Sequence, residues 1–158
     1  MYCLEAVIGG GPVLRVLAAG VPEARVVRLS HSLSLLPMTD VLFDAVTVAG
    51  APELEGFWKA PAGFGRLLAA CSATGPVAYV EADYFGGTGT QSAQVWDAEE
   101  VVLGPLHLGA REPSAAAGTP ISQALRRLGV TKGNHADEFD AVGLRRHRRT
   151  DDWLSLTS

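Results

Sequence analysis

This chain has few cysteines, no long apolar run and no surplus of positive charge. Cys3 and Cys71 are too few for the disulfide framework of a small secreted domain, and neither lies in a Cys-x-x-Cys or Cys/His cluster. No apolar stretch approaches the roughly 20 residues that a membrane-spanning helix needs, which argues against an integral membrane protein. The first residues lack the basic and apolar regions of a signal peptide. We therefore expect a cytoplasmic protein.

The scarcity of basic residues bears on possible partners. The chain has 13 Lys and Arg against 17 Asp and Glu, for a net charge of -4. The charge is uneven, because residues 1–110 carry a balance of -6 and residues 111–158 a balance of +2. An acidic body argues against nucleic-acid binding, which needs a basic face. The basic run at 145–149 is followed at once by Asp151 and Asp152, so we interpret it as a solvated and partly neutralised surface.

What the sequence does contain is enough apolar material for a core. Of its 158 residues, 47% are apolar and 19% are charged, which predicts one domain over 1–158. Helices are predicted to begin near Pro12, Pro61 and Pro120, with Thr119 as an N-cap. The pattern predicts an α+β fold with about three helices and a mostly antiparallel sheet of about five to six strands. The strand predictions are 4–8, 24–29, 30–36, 77–85, 91–96 and 101–108, the last an edge strand because Gly104-Pro105 interrupts it.

The predicted strand at 77–85 carries the most distinctive face of the chain. Its alternation puts Tyr79, Glu81, Asp83 and Phe85 on one side. If solvent reaches that side it is an ordinary outer face, which is the interpretation we prefer. If it is covered, burial would raise the pKa of both carboxyls and let them act as acid and base or bind a hard metal ion.

Two further clusters have structural and functional interpretations. The glycines of 86–89 resemble a phosphate-binding loop, but a strand rather than a helix is predicted to follow, which favours a hairpin turn. His135, Asp137, Glu138 and Asp140 lie close together without the spacing of a known calcium or zinc motif. We interpret them as a solvated loop, and we assign no metal ligand, cofactor or catalytic residue.

The polar segment 130–158 has few apolar anchors. They are Phe139, Val142, Leu144 and Trp153. A buried indole is a strong anchor, so we expect this segment to dock on the domain through Trp153.

Three segments carry a resemblance to known proteins. They are Tyr-Phe-Gly-Gly-Thr-Gly-Thr-Gln at 84–91, Pro-Ile-Ser-Gln-Ala-Leu-Arg-Arg-Leu-Gly at 120–129, and the acidic stretch 137–140. In these the chain resembles a family of small uncharacterised actinobacterial proteins with a Tyr-Phe-Gly-Gly-x-Gly-x-Gln hairpin. Some proteins with this hairpin are similar to immunity proteins that neutralise toxins. The resemblance implies no catalytic residues.

Our leading hypothesis is a non-enzymatic protein-binding module, immunity-like, whose acidic surface attracts a basic partner such as a toxin. The predicted contact residues are Glu81, Asp83, Tyr84 and Gln91. The alternative is a small enzyme or small-molecule binder that uses the face of Glu81, Asp83 and Gln91. The sequence leaves a homo-oligomer open.

Overall fold

The computed structural model describes residues 1–156 and contains six strands. They are β1 Tyr2–Gly10, β2 Val27–Arg28, β3 Leu33–Pro37, β4 Val77–Phe85, β5 Thr88–Asp97 and β6 Glu100–Leu108. The strands form one sheet in the order β2-β3-β1-β4-β5-β6, with β6 at an edge, as Gly104-Pro105 predicts. Every pairing between neighbouring strands is antiparallel, which confirms the predicted α+β architecture.

Helices cover both faces of the sheet. On the back face lie α1 (Gly11–Ala18), α2 (Asp40–Val46) and α3 (Phe64–Cys71), which share a core with Val7, Tyr79 and Trp96. On the front face lie α4 (Pro120–Arg127) and α5 (Glu138–Val142), which share a core with Leu4, Ala82 and Ala93. The three predicted helices correspond to α1, α3 and α4. The sequence pattern did not distinguish α2 from a strand, and it gave no indication of the five-residue α5.

Local signals account for the helix starts. Thr119 caps α4 by accepting a hydrogen bond from the Ser122 N–H, and Pro120 occupies the first turn, where its missing N–H costs nothing. Strand β1 continues through Gly9 and Gly10, where the sequence suggested a break. It continues because strands on both sides pair with it there, Gly9 opposing Ser34 on β3 and Val77 on β4.

The hairpin between β4 and β5 is tighter than the predicted loop at 86–90. Only Gly86 and Gly87 form the turn, with φ angles of 61° and 81°. Positive φ at both positions matches the two-residue turn that suits the twist of a hairpin. Gly89 is needed for another reason, since a Cβ there would overlap the carbonyl oxygen of Asp83. The spacing of the glycines thus reflects backbone geometry.

The C-terminal segment runs beside β1 and then under the front face. Strand β3 pairs only with residues 6–10 of β1, and residue 149 pairs with Cys3 in the space left free. The Cys3 N–H donates to the carbonyl of Arg148 at 2.7 Å. A 3-10 helix, Thr150–Leu156, then buries Trp153 completely in the front core.

Candidate functional site

The register of the sheet separates the four predicted contact residues into two pairs. Glu81 opposes Glu5 on β1 and Ser92 on β5, so it lies on the back face with Asp83. Gln91 opposes Ala82, so it lies on the front face with Tyr84. The expectation that Glu81, Asp83 and Gln91 share one face is therefore wrong. Antiparallel pairing places directly opposed residues on the same side of the sheet, and Gln91 is one position from the partner of Glu81.

Glu81 is enclosed by residues 57–59, which we call the covering segment. Its side chain is 0% exposed, and its two carboxylate oxygens accept the backbone N–H groups of Trp58 at 2.8 Å and Lys59 at 2.7 Å. Burial raises the pKa of Glu81 to about 7, against the opposing effect of those two N–H donors. The preferred interpretation of an open outer face is wrong at Glu81, whereas Asp83, two residues further along, is exposed. Glu81 has no surface to offer a partner.

Glu5, the cross-strand neighbour of Glu81, also binds the covering segment, through the side chains of Trp58 and Lys59. Its carboxylate accepts hydrogen bonds from the Trp58 indole N–H at 3.2 Å and from the Cys3 thiol at 3.0 Å. The Lys59 ammonium lies 3.7 Å from Glu5 and 2.7 Å from Asp40. Burial and the neighbouring Glu5 raise the pKa of Cys3 to about 12, so this cysteine is a protonated thiol at neutral pH.

Two more polar residues lie in line with Glu5 and Glu81 across the back face. Ser92 on β5 is directly opposite Glu81, and His107 on β6 is directly opposite Ser92. The Ser92 hydroxyl lies 2.8 Å from Nδ1 of His107, a pair that the sequence analysis did not find. Finding it requires the register between β5 and β6, which shifts between Ala93 and Trp96. Ser92 is 0% exposed, so its hydroxyl is out of reach of a substrate and links two strands.

Tyr84 and Gln91 line a cleft on the front face, beside the hairpin turn. It consists of two adjoining lobes of about 370 and 330 Å³ that share Tyr2, Tyr84, Gly87 and Arg145. Together they form what we call the aromatic cleft. The first lobe is completed by Met1, Gly86 and Arg148, and the second by Gln91, Thr119, Asp137 and Phe139.

Hydrogen bonds inside the protein fix the rings of the aromatic cleft. The Gln91 side chain accepts the Ile121 N–H at 3.0 Å and donates to the Tyr84 hydroxyl at 3.0 Å. Both ends of that amide are therefore occupied, and Gln91 acts by positioning Tyr84. The Tyr2 hydroxyl donates to the carbonyl of Leu144 at 2.8 Å. The Tyr2 ring lies 5.4 Å from that of Phe139.

The charged groups of the cleft are distributed between the lobes. The Arg145 guanidinium lies 5.4 Å above the Phe139 ring and 3.5 Å from an Asp140 oxygen. Arg148 is exposed, and its guanidinium forms no ion pair with the residues that the structure describes. One Asp137 oxygen accepts the Asp140 N–H at 2.8 Å and caps α5, which leaves the other oxygen available.

Of the four polar residues His135, Asp137, Glu138 and Asp140, Asp137 is the one that lines this cleft. His135 lies 3.3 Å from Asp140 at the surface. Across residues 1–156, no group of three or more His, Cys, Asp or Glu side chains is placed to hold a metal ion.

Three distant stretches of chain, the hairpin, the start of α4 and the start of α5, meet at the aromatic cleft. Comparison with family models, with curated proteins and with solved structures gave no match. Within residues 1–156, the structure has no helix with the length and apolar character that a membrane crossing requires.

Proposed function

We propose that this protein is a binding protein and that its aromatic cleft takes a small organic anion with an aromatic ring. The observation that carries the proposal is the Arg145 guanidinium above Phe139, in a cleft that also contains Tyr2, Tyr84 and Arg148. Aromatic side chains provide flat apolar walls, and arginine pairs with carboxylate or phosphate through two parallel N–H groups. A mostly apolar concavity with a few placed polar groups is the usual form of a small-molecule site.

The internal hydrogen bonds of the cleft support this proposal. Gln91 and Leu144 hold the two tyrosine hydroxyls, so the walls are set before any ligand arrives. A preformed site avoids the entropic cost of ordering side chains on binding. Among the residues that the structure describes, none forms an ion pair with Arg148, and an anionic ligand supplies the counter-charge.

Calorimetric titration with phenyl phosphate tests the proposal. We expect the wild-type protein to bind phenyl phosphate and to ignore benzylamine, which has the same ring and the opposite charge. Arg148→Ala should weaken binding about tenfold, because it removes a charged hydrogen-bond donor. Arg149→Ala is the matched control, since Arg149 is an adjacent exposed arginine outside the cleft. Equal losses in the two variants, or no binding by the wild type, would refute the assignment.

A second candidate function, the immunity-like protein-binding module, is favoured by a different surface. Beyond the covering segment the back face is open: Asp83 is exposed there, and Phe85, two residues further along β4, is 75% exposed. Trp58, in the covering segment itself, is 48% exposed. Exposed aromatic residues beside a carboxylate suit a basic protein partner. Kinship with the actinobacterial hairpin family stays a prediction, as does a site of action in the cytoplasm.

Native mass spectrometry of the protein, purified gently from its own source, tests this candidate. We expect a second polypeptide that is lost in Asp83→Lys and retained in Asp44→Lys, an equal charge reversal on the exposed side of α2. Retention of the partner by both variants would exclude this surface.

A further inference from the structure

We propose that the ligand of the aromatic cleft is a nucleoside monophosphate whose base carries an exocyclic amino group. This inference rests on the proposed function and names the chemical class of the ligand. It comes from the arrangement of charge along the cleft, from the groups that remain available in each lobe, and from the flat walls between them.

The two lobes differ in the sign of the charged side chain that each has to itself. Arg148 lines only the first lobe and Asp137 only the second, while Tyr2, Tyr84 and Arg145 line both. A ligand that satisfies both ends carries an anion at one end, a hydrogen-bond donor at the other, and a flat apolar body between them. An α-amino acid does not fit this pattern, because its carboxylate and ammonium groups are attached to the same carbon.

The first lobe suits a phosphate group. Arg145 and Arg148 both line it. The Tyr84 hydroxyl oxygen accepts a hydrogen bond from the Gln91 amide, so the hydroxyl hydrogen is free to donate to a ligand. Two guanidinium groups offer several N–H donors in planar pairs, the geometry that phosphate oxygens accept. The hairpin turn at Gly86 and Gly87 has no side chains, so the phosphate can approach the backbone.

The second lobe suits a base and selects for an amino group. The rings of Tyr2 and Tyr84 give the base surfaces on which to stack, and Phe139, whose ring lies under Arg145, completes the wall of the lobe. The Gln91 amide is buried, and its oxygen and nitrogen each have a partner inside the protein, so it is not placed to read the edge of the base. The charged acceptor that lines this lobe is Asp137, whose second oxygen does not cap α5. A carboxylate oxygen pairs with an amino group and repels a carbonyl oxygen, so the lobe distinguishes bases by that substituent.

Calorimetry with two matched pairs of nucleotides tests the inference. Adenosine and inosine monophosphates differ in carrying an amino group or a carbonyl at the same ring carbon, and so do cytidine and uridine monophosphates. We expect the amino member of at least one pair to bind about tenfold more tightly. Adenosine without its phosphate should bind at least tenfold more weakly than adenosine monophosphate.

The Asp137→Asn variant tests whether Asp137 causes the preference for nucleotides with an amino group. Asparagine is as good an N-cap as aspartate, so α5 keeps its start while the carboxylate charge is lost. The preference for the amino nucleotide should fall to within about threefold. Unchanged circular dichroism and melting temperature would show that the variant is folded.

The outcomes separate the two proposals. Binding of phenyl phosphate with no amino preference in either nucleotide pair overturns this inference and leaves the proposed function in place. A preference that survives in Asp137→Asn also overturns it. Failure of phenyl phosphate and of all four nucleotides to bind overturns both proposals.

Discussion

The polar groups on the two faces of the sheet differ in how far partners inside the protein satisfy them. On the back face, Glu5 and Glu81 direct their carboxylates inward, where backbone N–H groups, an indole, a thiol and Lys59 satisfy them. On the front face, the polar groups of the aromatic cleft are only partly satisfied, and Arg148 and one Asp137 oxygen remain available.

This difference distinguishes the structural cluster on the back face from the proposed binding site on the front face. A buried carboxylate that already has its hydrogen bonds stabilises the segment that supplies them and has nothing left for a ligand. A half-buried group with unused donors or acceptors has that capacity. A raised pKa marks Glu81 on the back face, whereas the cleft with unused polar groups lies on the front face. The proposed function therefore rests on the cleft and not on the raised pKa.

Removing Trp153 should have the largest effect on stability. The indole is 0% exposed in the front core, so Trp153→Ala leaves a cavity and should lower the free energy of unfolding by about 3–5 kcal/mol. Trp58→Ala is the control on the back face, where a half-exposed indole makes one hydrogen bond to Glu5 and should cost about 1 kcal/mol. Urea unfolding followed by circular dichroism measures both. Similar losses would mean that the C-terminal segment contributes little to the front core.

The pH dependence of stability should isolate Glu81. Its pKa is about 7 in the folded chain against an ordinary value of 4.5, so the folded state binds this proton more tightly than the unfolded chain does. The group therefore stabilises the fold fully below pH 4.5, and this contribution is lost as the pH rises through 7.

We expect the difference in stability between the wild type and Glu81→Gln to change by about 2–3 kcal/mol between pH 5 and pH 8. The wild type should lose stability with rising pH relative to the variant. Asp83→Asn, the same kind of substitution at an exposed position on the same strand and face, is the matched control variant. Parallel profiles for the wild type and Glu81→Gln would contradict the enclosed geometry.

The glycines of the hairpin should differ in their tolerance of alanine. Gly89→Ala should cost about 1–3 kcal/mol, because the new Cβ overlaps the Asp83 carbonyl oxygen and the backbone must move. Gly87→Ala meets open space and should cost about 1 kcal/mol, the price of a positive φ alone. Thermal unfolding ranks the two variants. The reverse order would mean that the stability of the hairpin depends more on the positive φ of the turn than on the close contact at Gly89.

Phe85→Ala should have the smallest effect on stability. Its side chain is 75% exposed on the open part of the back face, so the free energy of unfolding should change by less than about 0.5 kcal/mol. If the second candidate function is correct, the same variant should lose the protein partner in native mass spectrometry. A large loss of stability would instead indicate that Phe85 packs against the domain.

Much of the fold follows from local signals in the sequence. The strand at 77–85 was predicted at the bounds of β4, and the helix predicted to begin after Thr119 begins there as α4. Alternation and capping are local properties, and here the tertiary structure agrees with them. The short helix α5 was missed because five residues make little more than one turn, too few for a periodic pattern.

The candidate site was less predictable because it depends on contacts between distant residues. Glu81 is buried by Trp58 and Lys59, which precede it by more than 20 positions in a stretch for which the sequence predicted no helix or strand. The pairing of Gln91 with Tyr84 required the two-residue turn, whereas the sequence suggested a longer loop. The sequence analysis grouped Tyr84 and Gln91 with Glu81 and Asp83, whereas the structure places the two pairs on opposite faces of the sheet.

The edges of the sheet have a consequence for how this chain associates. Strand β2 has only two residues, and β6 contains Pro105, which has no N–H, beside irregular pairing with β5. Neither edge presents the long, regular row of free backbone groups that strand addition and fibril growth require. Joining another chain by extending this sheet is disfavoured at both ends, so recognition of a partner falls to side chains on the faces and at the hairpin.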